Sequence, residues 1–340
     1  MMRQVNVEDS VGTVLAHDLT KVLPGTFKGV AFHKGYIIQA EDIEALKNMG
    51  KYHLWVVDRS QDQLHENEAA RRLAMAVASP DLTVLEPSEG KANLRSARRG
   101  LLKVNPELLI ELNQGQDFVI ATLHTNTLVA AGQLVAGAKV IPLVIAKAEV
   151  ERVEALGRQH GPVLDLKPMY PLKIGIVVTG SEVYYGRIQD RFGELLRAKA
   201  AHYGGTVLDL QYAPDDPEFI GEQIRRLLER GVDIVILSGG MAVDADDVTP
   251  QALRNSATEV VSYGLPLIPS ALGMLAYHHE VALLGLPACA MVNQTTMLDL
   301  VLPRLLAKER LTRKDLIAFG HGGFCRQCPD CHYPACSFGK

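Results

Sequence analysis

The sequence predicts an α/β protein. A three-layer domain with a mostly parallel sheet is expected over residues 171–308. A mixed, β-rich region over residues 1–170 precedes it, and a cysteine-rich tail over residues 309–340 follows. Three observations predict this. Four short β-branched apolar runs, Ile174–Val178, Thr206–Tyr212, Val232–Leu237 and Val281–Leu284, alternate with stretches of helical spacing, as in a βαβ sheet. Each run ends directly in a loop of small or acidic residues. Four of the five cysteines fall within the last sixteen residues.

Taken in order, Val5–Leu19 and Gly35–Val57 read as short strands around a helix at Ala40–Met49. Gln63–Ala78 reads as a polar, alanine-rich helix. Ala92–Leu101 is basic through Arg95, Arg98 and Arg99; the cluster is either a solvated face or an anion site. Phe118–Ile145 alternates and is rich in Val, Thr and Gly, which predicts hairpins. His17 and His124 lie in apolar runs and are expected in the core. Pro24–Gly29 with Phe32–Gly35 is either a basic loop near a phosphate or an ordinary glycine turn. Gly157–Pro171, with three prolines, is the linker candidate. Beyond it, Arg191–Tyr203 and Pro217–Arg230 have helical spacing, with Pro217 suited to a first turn. Ala288–Ala307 is expected to be one long apolar helix.

Composition bounds the function classes. The 340 residues are 47% hydrophobic and 22% charged, ordinary for a globular protein with a sizeable core. A net charge of −4 gives no electrostatic case for nucleic acid. The longest apolar stretch, Leu134–Ala146, contains Lys139 and Pro142 and is too short to span a bilayer. Met1–Val5 lacks the apolar core of a signal peptide. A cytoplasmic homo-oligomer without membrane association is expected.

In a parallel sheet the four loops emerge at the carboxyl edge, where ligands bind if strand order reverses. They read Thr179-Gly180-Ser181-Glu182, Pro214-Asp215-Asp216, Ser238-Gly239-Gly240 leading to Asp246-Asp247-Val248-Thr249-Pro250, and Leu286-Pro287-Ala288-Cys289. Paired glycines let backbone N–H groups approach a phosphate. Carboxylates beside a phosphate repel it unless a cation intervenes, and Mg²⁺ characteristically takes one or two carboxylates plus phosphate oxygens. The bland alternative is also open: helix caps and dipole-complementing acids account for Asp215-Asp216 and for Thr249-Pro250 as N-cap and first residue.

The order of these loops resembles the molybdopterin-binding domain shared by molybdopterin adenylyltransferases, MoaB-like proteins and molybdopterin molybdotransferases. The resemblance covers about residues 171–308. It rests on Ile174–Glu182, Gly186-Arg187-Ile188-Gln189-Asp190, Ser238-Gly239-Gly240 and Asp247-Val248-Thr249-Pro250-Gln251-Ala252. It implies that the glycine loop binds the phosphate side of a pterin and that Asp247 carries the chemistry. Asp215 is the acid after the second strand. Thr179, Gly180, Ser181, Glu182, Asp190, Ser238, Gly239, Gly240, Asp246, Thr249 and Pro287 would complete the binding loops. It implies Mg²⁺ near Asp247 and Asp215, with molybdopterin or adenylylated molybdopterin and molybdate as substrates. Asn6–Ala16 resembles the opening of molybdotransferases. The chain departs from the family at Ala288, where a glycine is usual, and lacks the usual lysine in Gly264–Pro269. Two roles therefore stand side by side. One is metal insertion into activated molybdopterin, for molybdenum or tungsten. The other is a non-catalytic carrier, chaperone or sensor that engages a molybdoenzyme or another cofactor-assembly protein.

Cys325, Cys328, Cys331 and Cys336 form a C-x2-C-x2-C-x4-C arrangement. Structural zinc usually draws on two separated C-x2-4-C pairs. A tight run of four is similar to iron–sulfur ligation, although the ferredoxin form has a shorter last gap and a following proline. Zinc, with His321 or His332 as substitute ligands, and an iron–sulfur cluster both remain open. Cys289 is expected to be a small buried hydrophobe.

Overall fold

A computed structural model describes residues 2–23, 27–57, 62–242 and 244–340. The chain divides into two compact units. One comprises the residues up to Thr125 together with Val129–Leu166, and the other Asn126–Leu128 with Lys167–Lys340.

The first unit holds two separate cores. An antiparallel sheet orders Met2–Asn6, His53–Val57 and Val14–Leu15, and helix Asp42–Asn48 closes a cluster around Leu15, Leu46 and Val56. A second antiparallel sheet orders Phe118–Thr122, Leu134–Val140, Lys91–Ser96 and Leu82–Val84. Helices Glu66–Val77 and Lys147–His160 pack over it.

Several expectations need correction in this unit. The candidate linker begins too early: Gly157 lies inside helix Lys147–His160, and Leu164–Lys167 is a strand. Gly157 is there because the two helices touch; a Cβ would stand 2.5 Å from the Ala76 carbonyl oxygen. Helix Pro106–Leu112 was not foreseen, although Asn105 caps it and Pro106 opens it. His17 and His124 are exposed, because each falls just past a strand end. Arg98 forms a two-pronged pair with Asp81 (3.1 and 2.6 Å) and donates to the Leu166 carbonyl at 2.6 Å, so it fastens structure. Residues 24–26 of the candidate basic loop lie outside the described residues.

The second unit is an α/β/α sandwich. Its elements are β1 (Lys173–Thr179), α1 (Ser181–Tyr184), α2 (Phe192–Tyr203), β2 (Thr206–Ala213), α3 (Pro217–Glu229), β3 (Ile234–Ser238) and α4 (Thr249–Ser256). There follow β4 (Glu259–Tyr263), β5 (Met274–His278), β6 (Val281–Leu286), α5 (Met297–Leu306) and α6 (Arg313–Ile317). The sheet order is β2-β1-β3-β6-β5-β4, with the first four strands parallel, β5 antiparallel to β6, and β4 antiparallel to β5 and so aligned with the first four. Alternation along β1 explains the layers. Ile174, Ile176 and Val178 face α2 and α5, while Val177 joins the cluster of α3 and α4. Gly175 lets α3 close on the sheet, since a Cβ would meet Leu227 at 2.8 Å.

Three local expectations shift. The long helix expected from Ala288 is broken into a 3-10 turn, Ala288–Met291, and α5. The break falls where Thr296 and Asp299 form a reciprocal capping box. Val248, not Thr249, is the N-cap of α4, so Thr249 is its first residue. The β4–β5 pair was not foreseen.

The cysteine-rich tail clusters with this second unit. Leu311, Leu316, Phe319 and Phe338 enter the core that holds α2 and α5. Ile268 and Phe324 form a parallel β-bridge, fixed by Ile268 N–H to Gly323 O and Cys325 N–H to Ile268 O, both 2.8 Å. Among the described residues no helix is long and apolar enough to cross a membrane.

Candidate functional site

The strand order reverses at β1, with β2 on one side and β3 on the other. A sheet that winds both ways opens a crevice at this point, because the crossovers leave in opposite directions. A cleft of about 840 Å³ lies there. Of the residues singled out from the sequence, Thr179, Gly180, Glu182, Asp190, Asp215, Gly239, Gly240, Asp246 and Asp247 line it. Ser181, Ser238, Thr249 and Pro287 do not, and their positions explain why.

Hydrogen bonds between loops hold the rim together. Gly180 N–H donates to Ala213 O (3.0 Å), tying the first loop to the end of β2. Ser181 N–H donates to Asp215 Oδ2 at 2.8 Å, and Asp215 N–H returns a bond to Ser181 Oγ at 3.1 Å. Ser181 therefore orients Asp215 from behind the cleft. The buried Thr179 hydroxyl donates to Ser238 O at 2.8 Å and lies 3.2 Å from the buried Thr249 hydroxyl. Gly239 N–H donates to Leu286 O at 3.3 Å, and Thr249 N–H to Gly240 O at 3.2 Å. Four loops far apart in sequence thus form one rim.

The glycines have reasons of their own. Gly239 and Gly240 sit at φ +91° and +56°. A Cβ on Gly239 would stand 2.6 Å from Thr179 O, and one on Gly240 2.7 Å from Thr249 Oγ1. Both positions demand glycine before any ligand is considered. Ser238 is fully buried and its hydroxyl has no partner among the described residues, so it belongs to the wall. Pro287 is buried at the end of β6, and the exposed Ala288 beside it lines the cleft.

The acids separate by task. Asp216 caps α3, accepting from Glu218 N–H and Phe219 N–H at 2.9 Å each, which leaves Asp215 to the cleft. Asp190 is occupied: it accepts from Phe192 N–H, Gly193 N–H and the Tyr212 hydroxyl, and so anchors the start of α2. Burial pushes the Tyr212 phenol above its ordinary value, and the Asp190 carboxylate adds to this. Asp247 accepts from Asp244 N–H at 3.0 Å, which shapes the turn leading to α4. Six carboxylates line the cleft against one guanidinium, that of Arg191, among the described residues. Such a rim suits a cation shared with an anionic ligand. Among the described residues no three His, Cys, Asp or Glu side chains are arranged to hold a metal by themselves.

Residues 175–307 match a family model described as "Probable molybdopterin binding domain". Residues 4–58 match a second model, described as a domain of unknown function. Curated relatives of the chain include a CinA-like protein of Mycobacterium tuberculosis, 37% identical over 81 residues, which cover 24% of this chain and 19% of that protein. A CinA-like protein of Mycolicibacterium gilvum is 40% identical over 81 residues with the same coverage. The chain thus spans about a fifth of the length of these relatives. Among solved structures, the molybdopterin biosynthesis enzyme MoaB of Thermus thermophilus is 23% identical with a TM-score of 0.36. That match covers 41% of this chain and 98% of the other. The tungsten cofactor synthesizing protein MoaB of Pyrococcus furiosus is 16% identical with a TM-score of 0.33, covering 42% and 92%.

Sequence reading missed Arg191 and Met291 among the residues that line the cleft, and it gave Ile188 and Gln189 only as parts of the Gly186–Asp190 motif. Gln189 and Arg191 flank Asp190, so their position was available from that motif. Met291 was hidden by the expectation of a continuous helix.

Outside this cleft the four tail cysteines line a second cavity, of about 410 Å³, together with His332 but not His321. Cys328 and Cys331 are exposed, and Cys325 and Cys336 half-buried. Cys289 is half-buried rather than buried, with its sulfur 3.8 Å from Ser270 Oγ.

Proposed function

We propose that the α/β unit binds molybdopterin during assembly of the molybdenum or tungsten cofactor. In this reading the pterin's phosphate lies against the Gly239–Gly240 turn. The observation that supports it is the single cleft in which Thr179–Gly180, Asp215, Gly239–Gly240 and Asp247 meet at the strand-order reversal. Adenylylated molybdopterin and molybdate are the proposed substrates, with insertion of the metal as the reaction. Asp247 and Asp215 would hold Mg²⁺, which would neutralise phosphate charge that six carboxylates otherwise repel. The chain's own contribution is orientation: Ser181 and the Asp244 N–H hold the two carboxylates toward the cleft. The tail thiols are proposed as ligands of an iron–sulfur cluster or a zinc ion.

The test is to incubate purified protein with adenylylated molybdopterin, molybdate and Mg²⁺. Asp247→Asn is expected to abolish metal insertion while its circular dichroism and melting temperature match the parent. Undiminished insertion by the variant removes Asp247 from the chemistry.

One observation favours a second role. The Ala288 methyl projects at the cleft rim, where the family usually carries glycine. A carrier that binds stoichiometrically without turnover fits that change, and the same incubation separates the two. Ala288→Gly is then expected to tighten binding rather than to create activity.

A further inference from the structure

One short segment separates the cleft from the thiol cavity. Ala288 and Met291 line the cleft, whereas Val292 to Thr295 wall the cavity. Both ends of the segment are pinned. Leu286 is fully buried at the end of β6, and Thr296 holds the capping box of α5. Between them, Asn293 Nδ2 donates to Cys289 O at 2.8 Å, and the Thr295 hydroxyl lies 3.2 Å from Cys331 Sγ. The last contact links this wall directly to a tail thiol.

Contacts other than the thiols help to hold the tail in place. The Tyr333 hydroxyl donates to Asp299 O at 3.1 Å, Phe338 is buried, and the Ile268–Phe324 bridge ties the tail's start to the unit. Four sulfurs are thereby left around one cavity. Gln327 N–H points at Cys325 Sγ at 3.5 Å. Among the described residues no three donors converge; Cys325 and Cys331 face separate hydrogen-bond partners. Rotation about a cysteine's Cα–Cβ bond moves the sulfur between staggered wells without moving the backbone. The exposed Cys328 and Cys331 have room for it.

We propose that Cys325, Cys328, Cys331 and Cys336 take up a thiophilic metal as thiolates, and that loading this centre stiffens the Val292–Thr295 wall, which continues directly from the residues that line the cleft. Soft thiolate sets select zinc or iron–sulfur clusters over hard cations such as Mg²⁺. The Thr295 hydroxyl then donates to the Cys331 thiolate, and a bond to a charged acceptor is stronger than one to a neutral thiol. The two sites couple through that bond. The inference rests on the proposed pterin reading only for what the cleft holds.

The experiment uses the full chain, reduced and metal-free under anaerobic conditions. One arm adds Co²⁺ and records thiolate-to-metal charge transfer, with Zn²⁺ as displacer. The other adds Fe²⁺ and sulfide and records the broad visible absorption of a cluster. Hydrogen–deuterium exchange over Val292–Thr295 is followed in each. The expected result is saturable absorption in one arm and severalfold slower exchange in the loaded form. Both should be lost in the Cys328→Ser/Cys331→Ser double variant, whose melting temperature when metal-free should equal the parent's. No absorption in either arm, or full absorption in the double variant, overturns the metal centre. Loading with unchanged exchange overturns the coupling. Asp247→Asn is expected to load normally, so failure of the pterin reading leaves this result intact.

Discussion

Gly239 shows how a binding loop is specified one residue at a time. Its φ of +91° and the 2.6 Å approach that a Cβ would make to Thr179 O are imposed by the meeting of β1 and β3. Gly239→Ala is therefore expected to destabilise the fold by about 2–3 kcal/mol even without ligand, measured by urea unfolding of the full chain. A variant that unfolds at the parent's midpoint would show that the turn relaxes freely. The Asp215-Asp216 pair was legible only as two acids before a proline. An aspartate suits a cap and suits a site, so the residues by themselves left both roles open, and only the family resemblance singled out Asp215. The structure gives Asp216 to α3 and Asp215 to Ser181 and the cleft. Ser238 was legible as part of the glycine motif, but its complete burial was decided by the sheet.

At the level of elements, α6 couples the tail to α5 through charge. Arg304, nearly buried, donates to Glu309 at 2.7 Å and to Asp315 at 2.6 Å, and Asp315 completes a capping box with Thr312. Burial alone would raise the Asp315 pKa, but the bonds from Thr312 and Arg304 outweigh it and lower it from 3.8 to about 2. A depressed carboxylate stabilises the fold above its unfolded value, and that stability is lost as pH falls through the folded one. The window is therefore about pH 4 down to about pH 2. Partial exposure reduces the effect to about 1–2 kcal/mol. Asp315→Asn is expected to lower stability by that amount at neutral pH and to flatten the acid limb. Urea midpoints measured between pH 2 and pH 6 check this; parallel curves for parent and variant would contradict it. The capping box at Thr296 was written in the sequence as Thr296-x-x-Asp299. Apolar residues on both sides of it suggested one continuous helix, and the polar break at Asn293–Thr295 went unread.

The whole molecule has two compact units, each with hydrophobic clusters of its own. Separate cores predict that heat unfolding departs from a single two-state transition, with a calorimetric enthalpy above the van't Hoff value. Equal enthalpies would mean that the units melt as one. The sequence alone determined the βα alternation of the second unit, the four strand-end loops and the residue types they carry. These depend on local periodicity and on residue types that loops require. Only the tertiary structure decided which strands neighbour β1, and hence which loops meet. It also decided that Arg191 and Met291 share the cleft and that the tail lies against α5 with its thiols around one cavity. These are contacts between residues distant along the chain, fixed by how complementary surfaces pack, and no local pattern records that packing.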